Sequence, residues 1–245
     1  MGILNYLIFD NINSYDLGFY ISGEGVYNAP SRNVEAVSIP GRNGDLMLDL
    51  KSFENISVVY PAFNYETTYA GFTAAMDTIR NAFASKVGYQ RLTDTFHPDE
   101  FRLAVFRSGL EVDPIMYNSG AKFDLEFDCK PQRFLVSGET PQTFTASGSI
   151  TNPTQFPADP LLEVVGTGTV TIGAYSFNIS SNPGRIYIDA DIMEAWSLSG
   201  STKISQNGSV AYTDHKTPKI DPGTVAVTLG TGITELKITP RWWRI

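Results

Sequence analysis

The sequence predicts a mainly β protein in two parts: an N-terminal α+β domain with one amphipathic helix and an extended hairpin arm, then an all-β sandwich. Three observations carry that reading. Short apolar runs recur between Gly-, Pro- and Asn-containing breaks along most of the chain. A single helix-period stripe occurs, in the first half. The composition joins 12% aromatic residues to only 18% charged ones, a balance that favours pleated, half-buried surfaces.

The first elements are "YLIFD" and "LGFYISG", short strands around a turn-like "SYD". In "VEAVSI", Val34, Ala36 and Ser38 alternate with Glu35, Val37 and Ile39. "PGRNG" then stops the strand: Pro40 has no N–H to give a ladder, and Gly41 and Gly44 tolerate positive φ. "LMLDL" and "NISVVYPAF" resume strand character, so the segment reads as a hairpin or arm with a stiff tip.

The helix is expected over about Tyr69 to Ser85. Phe72, Met76, Ile79 and Phe83 form its apolar stripe, Thr67 or Thr68 caps its start, and Gly88 serves as the C′ residue. A lone amphipathic helix among strands must lie on a sheet, so the stripe reads as core. "FRLAVFRSGLEV" returns to strand, and "IMYNSGAKFDLEFDCKP" reads as a hairpin turning at Asn118-Ser119-Gly120. Its second strand points Phe123, Leu125, Phe127 and Cys129 one way and Asp124, Glu126 and Asp128 the other, and ends at Pro131. The boundaries expected are 1–136 for the first domain, 137–148 for a Ser/Thr/Gly/Pro-rich linker, and 149–245 for the sandwich.

Composition narrows function. A chain of 245 residues buries roughly 75% of its unfolded surface and needs no disulfide. Cys129 is the one cysteine, so no intrachain bridge forms, and on an apolar strand face it reads as an inert core thiol. The start "MGILNYLIFD" lacks a basic n-region, and no apolar run approaches ~18 residues, so neither a signal peptide nor a membrane span is expected. Net charge is −8 and lopsided: residues 1–140 hold 18 acids and 11 bases (−7), residues 141–245 hold 8 acids and 7 bases (−1). Sequence-specific nucleic-acid binding, which needs a basic footprint, is not expected.

No catalytic signature emerges. "GRNGD" is no phosphate loop, since neither G-x-x-x-x-G-K-[ST] nor a following helix is present, and "GTGTVTIG" reads as a β turn. His97 and His215 stand in different halves and read as exposed loop residues, so no metal or cofactor is expected. No G-x-S-x-G nucleophile elbow occurs. Asp189, Asp191 and Glu194 cluster in "YIDADIMEAW"; on a strand the two aspartates share a face, as a glycosidase pair does, though a strand end also displays carboxylates for solubility. Trp196, Trp242 and Trp243 are the only tryptophans. Between Arg241 and Arg244, one member of the Trp242–Trp243 pair can enter a core while the other anchors a partner or a domain contact.

Taken in order, "SIPGRNGDL", "FDLEFDCKPQRFL" and "ITPRWWRI" resemble the distal tail (Dit) proteins of long-tailed, siphovirus-type phages and prophages of Gram-positive bacteria. Asn43 stands where members often have Asp, and the Trp pair replaces what is often one Trp. The resemblance implies a ring-forming N-terminal domain and a galectin-like C-terminal sandwich. It implies a non-enzymatic virion protein, assembled in the host cytoplasm and resident at the tail tip or baseplate. There, a homo-hexamer joins the tail tube protein to a tail-tip or tail-associated lysin protein and carries receptor-binding machinery. In some relatives the ring closes only on its partners. The sandwich, about 100 residues, is the size of one domain with no inserted carbohydrate-binding module.

Under that resemblance Ile39, Pro40, Gly41, Arg42, Asn43, Gly44, Asp45 and Leu46 form a subunit interface: the stiff tip adds to a neighbour's sheet edge while Arg42 or Asp45 sets register, with ring contact extending from about Val34 to Val59. The acidity of the first half suits a channel through which DNA slips. The competing reading is a carbohydrate-binding module that recognises bacterial wall polysaccharide through Trp196 or Tyr187 on the sandwich.

Overall fold

The structure is a computed structural model describing residues 5–23, 27–65, 68–115 and 120–245. Thr67, Asn118 and Ser119, named above for a cap and a turn, lie outside the described residues, as does the start of the chain before Asn5. The protein is mainly β, as expected, and divides into two compact units, one running up to Arg133 (with Ile245) and one of Phe134–Arg244.

The first unit contains β1 (Leu7–Phe9), β2 (Ile12–Asn13), β3 (Phe19–Ile21), β4 (Arg32–Val37), β5 (Leu46–Phe53), β6 (Ile56–Tyr65), α1 (Tyr69–Ala84), β7 (Gln90–Asp94), β8 (Glu100–Val105), β9 (Val112–Ile115) and most of β10 (Gly120–Leu135). Its main sheet runs β2-β1-β7-β8-β10-β6-β3, with β9 also on β10, while β4 and β5 form a separate two-stranded sheet. The predicted alternation of β10 is observed: Phe123, Leu125, Phe127 and Cys129 are buried, Asp124 and Glu126 exposed, Asp128 half-buried. Burial pushes the Cys129 thiol up to about 12. Pro131 does not end the strand. Pairing with β6 stops at Cys129↔Ile56, so beyond that point a missing N–H costs no bond on the β6 side.

Helix α1 buries Phe72, Met76, Ile79 and Phe83, the four stripe residues. Thr68 caps it, its side chain accepting from the Gly71 N–H at 3.1 Å. The C-terminal cap is Ser85 rather than a turn through Gly88; its N–H donates to the Asn81 carbonyl and its hydroxyl to that of Ala82. Phe83 is the centre of the core, with ring centroids of Phe9, Phe19, Phe106 and Phe127 at 5.7, 6.0, 5.5 and 6.0 Å.

The second unit is a sandwich. It holds β11 (Gln142–Phe144), β12 (Gly148–Asn152), β13 (Leu161–Gly166), β14 (Gly168–Ile172), β15 (Tyr175–Ile179), β16 (Ile186–Asp189), β17 (Glu194–Ser199), β18 (Thr202–Ser205), β19 (Val210–Tyr212), β20 (Gly223–Leu229), β21 (Ile233–Thr239) and β22 (Trp243–Arg244). Six strands run β11-β21-β13-β16-β17-β18 and five run β12-β20-β14-β15-β19. Inward residues such as Leu162, Val164, Ile172, Phe177, Ile188, Leu236 and Ile238 fill the core between them. "GTGTVTIG" is mostly strand rather than the turn expected: Gly166 ends β13 and Gly168–Ile172 is β14, with Thr167 between them. A side chain at Gly166 would meet the Gly232 carbonyl, so the close approach requires glycine there.

The expected linker 137–148 is not loose. Val136–Glu139 forms a 3-10 turn and β11 pairs with β21. The Leu135 N–H donates to the Trp242 carbonyl and the Arg241 N–H to the Gly138 carbonyl, both at 2.8 Å. The polar, turn-rich composition there reflects short exposed elements rather than freedom.

Candidate functional site: a free-standing hairpin arm and a stapled terminus

The segment Ile39–Leu46 forms the tip of the β4–β5 hairpin. The Arg42 N–H donates to the Ile39 carbonyl at 3.1 Å, and Gly41 has φ 82°. Proline at the second position and glycine at the third of such a bonded four-residue turn make it type II. Gly44, at φ 81°, carries the chain into β5. Farther down, the Arg32 guanidinium grips Asp49 through both carboxylate oxygens, and the Lys51 N–H closes onto Asp49 Oδ1 at 2.9 Å. Those bonds, the Arg32 side chain first, hold the Asp49 carboxyl at about 2. Lys51 itself takes φ 58°.

The arm exposes much apolar surface. Val34, Val37, Ile39, Leu46, Met47, Leu48 and Leu50 are all exposed, Met47 at 66% and Leu50 at 59%. Val37 lies opposite Leu46 and Glu35 opposite Leu48, so one face presents Val37, Leu46, Leu48 and Leu50 as a strip. A lone two-stranded hairpin is marginal in water, and exposed apolar patches accompany interaction sites, ligand grooves and aggregation-prone surfaces alike.

The terminal segment sits differently. Trp242 is a core residue of the sandwich. Trp243 is half-buried, stacked on Phe156 with centroids 4.4 Å apart and planes 19° apart, its indole N–H donating to the Pro157 carbonyl at 2.9 Å. Arg241 donates to both oxygens of Asp189, at 2.7 and 2.9 Å, and Arg244 is exposed.

That pairing removes the glycosidase arrangement. Asp189 is buried and engaged by Arg241, and β16 ends there, so Asp191 lies in the following turn and not on the same strand face. Its N–H instead donates to Asp189 Oδ1 at 3.1 Å. His97 also departs from expectation. It is mostly buried beside Asp94, whose carboxylate accepts from the Phe96 and His97 N–H groups and from Tyr60. His215 is exposed. Among the described residues no group of three His, Cys, Asp or Glu side chains converges as a metal site, and no helix is long and apolar enough to cross a membrane.

On the outer face of the six-stranded sheet, Tyr187 and Trp196 are cross-strand partners with rings stacked at 5.8 Å and 10°. Lys203 lies 4.1 Å over the Trp196 ring. Next to them Arg185 bridges Glu163 and Glu235 at 2.8 Å each, and Lys237 reaches Glu163 at 3.0 Å.

No family model and no curated protein matches this chain. Solved structures do. The crystal structure of the Dit protein of phage SPP1, described as a paradigm of the hub adsorption apparatus in phages infecting Gram-positive bacteria, superposes with a TM-score of 0.75 at 12% identity, over 99% of this chain and 100% of that one. A chain of the phage P2 baseplate, activated with Ca, gives 0.51 at 10% identity over 97% and 98%. The Sr-activated p2 baseplate gives 0.53 at 10% identity over 100% and 99%. The chain therefore has the fold of phage tail-hub and baseplate proteins. More particularly, it is Dit-like in fold from end to end.

Proposed function

We propose that this chain is a virion structural protein, the hub of a phage tail tip. In this reading the first unit supplies the contacts of a hexameric ring, which joins the tail tube to a tail-tip or tail-associated lysin protein and carries adsorption machinery. The observation that carries the reading is the full-length likeness to the SPP1 Dit protein. The exposed arm supports it physically. An arm that fits a different surface of the next copy lets identical subunits close a ring and cover edges and apolar strips that would otherwise aggregate. The test is mass by light scattering across a concentration series, with electron microscopy of the assemblies. A six-fold ring is expected, and Ile39→Glu with Leu46→Glu should leave monomers. Persistent monomers of the unaltered protein, alone and with its tail partners, would reject the reading.

The same reading gives the acidity of the first half a use. Acids facing a lumen repel DNA phosphates and keep passage free of sticking. An imaged ring with a neutral or basic lumen would contradict this.

One observation favours a second reading, a carbohydrate-binding surface on the sandwich. The Tyr187–Trp196 stack, with polar Arg185 and Glu163 nearby, offers a flat face with hydrogen-bonding groups around it, as pyranose rings require. Retention of wall polysaccharide that disappears in Trp196→Ala would support it. Equal behaviour of the two proteins would dismiss it.

A further inference from the structure

We infer that Asn43–Gly44, in the tip of the arm, is a self-modifying site: the unassembled chain converts Asn43 to aspartyl and isoaspartyl forms with no enzyme. The inference stands on the tip alone, and the ring reading above enters only in what the change does.

An asparagine followed by glycine is the pair most open to this chemistry, because glycine has no Cβ to crowd its own N–H or to restrict its backbone. The sequence holds two such pairs, Asn43–Gly44 and Asn207–Gly208. Both asparagines are exposed, so access to water does not separate them. Their hydrogen bonds do. Asn207 begins a 3-10 turn, its Oδ1 accepts from the Ala195 N–H at 2.6 Å, and the Val210 N–H closes onto its carbonyl. Side-chain amide and backbone are both held, so bringing them together in a ring first breaks those bonds.

Asn43 has neither restraint. Among the described residues no hydrogen bond reaches its side chain or the Gly44 N–H. The bond that closes the turn, from the Arg42 N–H to the Ile39 carbonyl, ends one residue earlier, and the β4–β5 ladder resumes only at Leu46. A side chain added at Gly44 would meet nothing within 4 Å. Rearranging the backbone therefore costs least at this exposed tip.

The Gly44 nitrogen, its proton given up to the solvent, attacks Asn43 Cγ. The new N–Cγ bond closes a five-membered succinimide. The Cγ–Nδ2 bond breaks, and Nδ2 leaves as ammonia with a proton taken from water. A water molecule then opens the ring. Opening at Cγ gives an ordinary aspartate. Opening at the main-chain carbonyl leaves the chain running through Cβ and Cγ, with the α-carboxylate free. On either route one water is consumed, one ammonia is released and no electron moves. A neutral side chain has become a carboxylate, ionised at neutral pH.

The isoaspartyl form inserts one atom into the main chain between the turn and β5, and both forms place a new negative charge two residues from Asp45. Under the ring reading the tip lies in a subunit contact, so chains that wait unassembled lose the fit of that contact with age.

The test is peptide mapping by mass spectrometry on full-length protein aged at mildly alkaline pH, which frees more of the amide nitrogen. The tip peptide should become about 1 Da heavier and divide into two products, one of them a substrate for isoaspartyl methyltransferase. Asn43 should be lost at least about tenfold faster than Asn207. Asn43→Gln, which would need a larger ring, should abolish the change at the tip. By light scattering, the aged unaltered protein should assemble less than the fresh protein, and aged Asn43→Gln should not decline. An unchanged tip peptide, or equal loss at the two asparagines, would overturn the inference. Modified chains that assemble as fresh ones do would overturn the loss of fit. Protein that modifies at the tip yet never assembles, fresh or aged, alone or with its tail partners, would overturn the ring reading and leave the self-modifying site in place.

Discussion

Arg241 and Asp189 form a two-pronged ion pair, guanidinium nitrogens at 2.7 and 2.9 Å from the two carboxylate oxygens, and this pair fixes the terminal segment of the sandwich. Arg241 takes φ 58°, a conformation an L residue holds only where its surroundings over-determine it. The Asp189 side chain is 11% exposed, so the pair is shielded and the cost of breaking it lies in the carboxylate left behind.

Arg241→Ala should therefore destabilise the second unit by about 2–4 kcal/mol, a buried charged bond being lost on one side only. Arg241→Ala with Asp189→Asn should recover part of that, because no charge is stranded. Urea unfolding, followed by the fluorescence of the three tryptophans, reads both.

The arm has its own pH signature. The Asp49 carboxyl sits at about 2 in the folded arm against an ordinary 3.8. A carboxyl depressed by folding contributes stability above its unfolded pKa, and that contribution fades as pH falls from about 4 through about 2. Carbon-detected NMR titration of the Asp49 side chain should give a midpoint near the lower value, and Arg32→Gln should move it up towards the ordinary one. Neutral pH is outside the window, so assembly between pH 6 and 8 should show no dependence traceable to this group.

Phe83→Ala should be the costliest single truncation in the first unit, about 3–5 kcal/mol, since it opens a cavity among four rings. Phe83→Leu should lose less than half as much. Tyr69→Ala, at a residue 64% exposed at the start of the helix, should change stability by less than about 0.5 kcal/mol. Thermal melts of the three variants test the ordering.

The parts of the fold legible in the sequence are those governed by local periodicity. The stripe Phe72–Met76–Ile79–Phe83 and the alternation from Phe123 to Cys129 both appear where period alone places them. The arm was legible too, since Pro40 and Gly41 specify their own turn. Contacts between residues far apart in sequence were not. Nothing local ties Asp189 to Arg241, 52 positions on, so from sequence the aspartate reads as a surface carboxylate or one of a pair. His97, which reads as an exposed loop residue, departs through a local contact instead: Asp94, three residues earlier, draws it in. Pro131 misled for a related reason: it ends a strand only where its missing N–H was needed, and that depends on which neighbour is still alongside.

The tip from Ile39 to Leu46 answers to no part of its own chain's interior. Apart from Pro40 and the two glycines, which set the turn, substitutions there are nearly invisible to folding. Under the ring proposed above, two lineages with interchangeable bodies could diverge in their tips alone, and a mixture of their subunits would sort itself by that short loop.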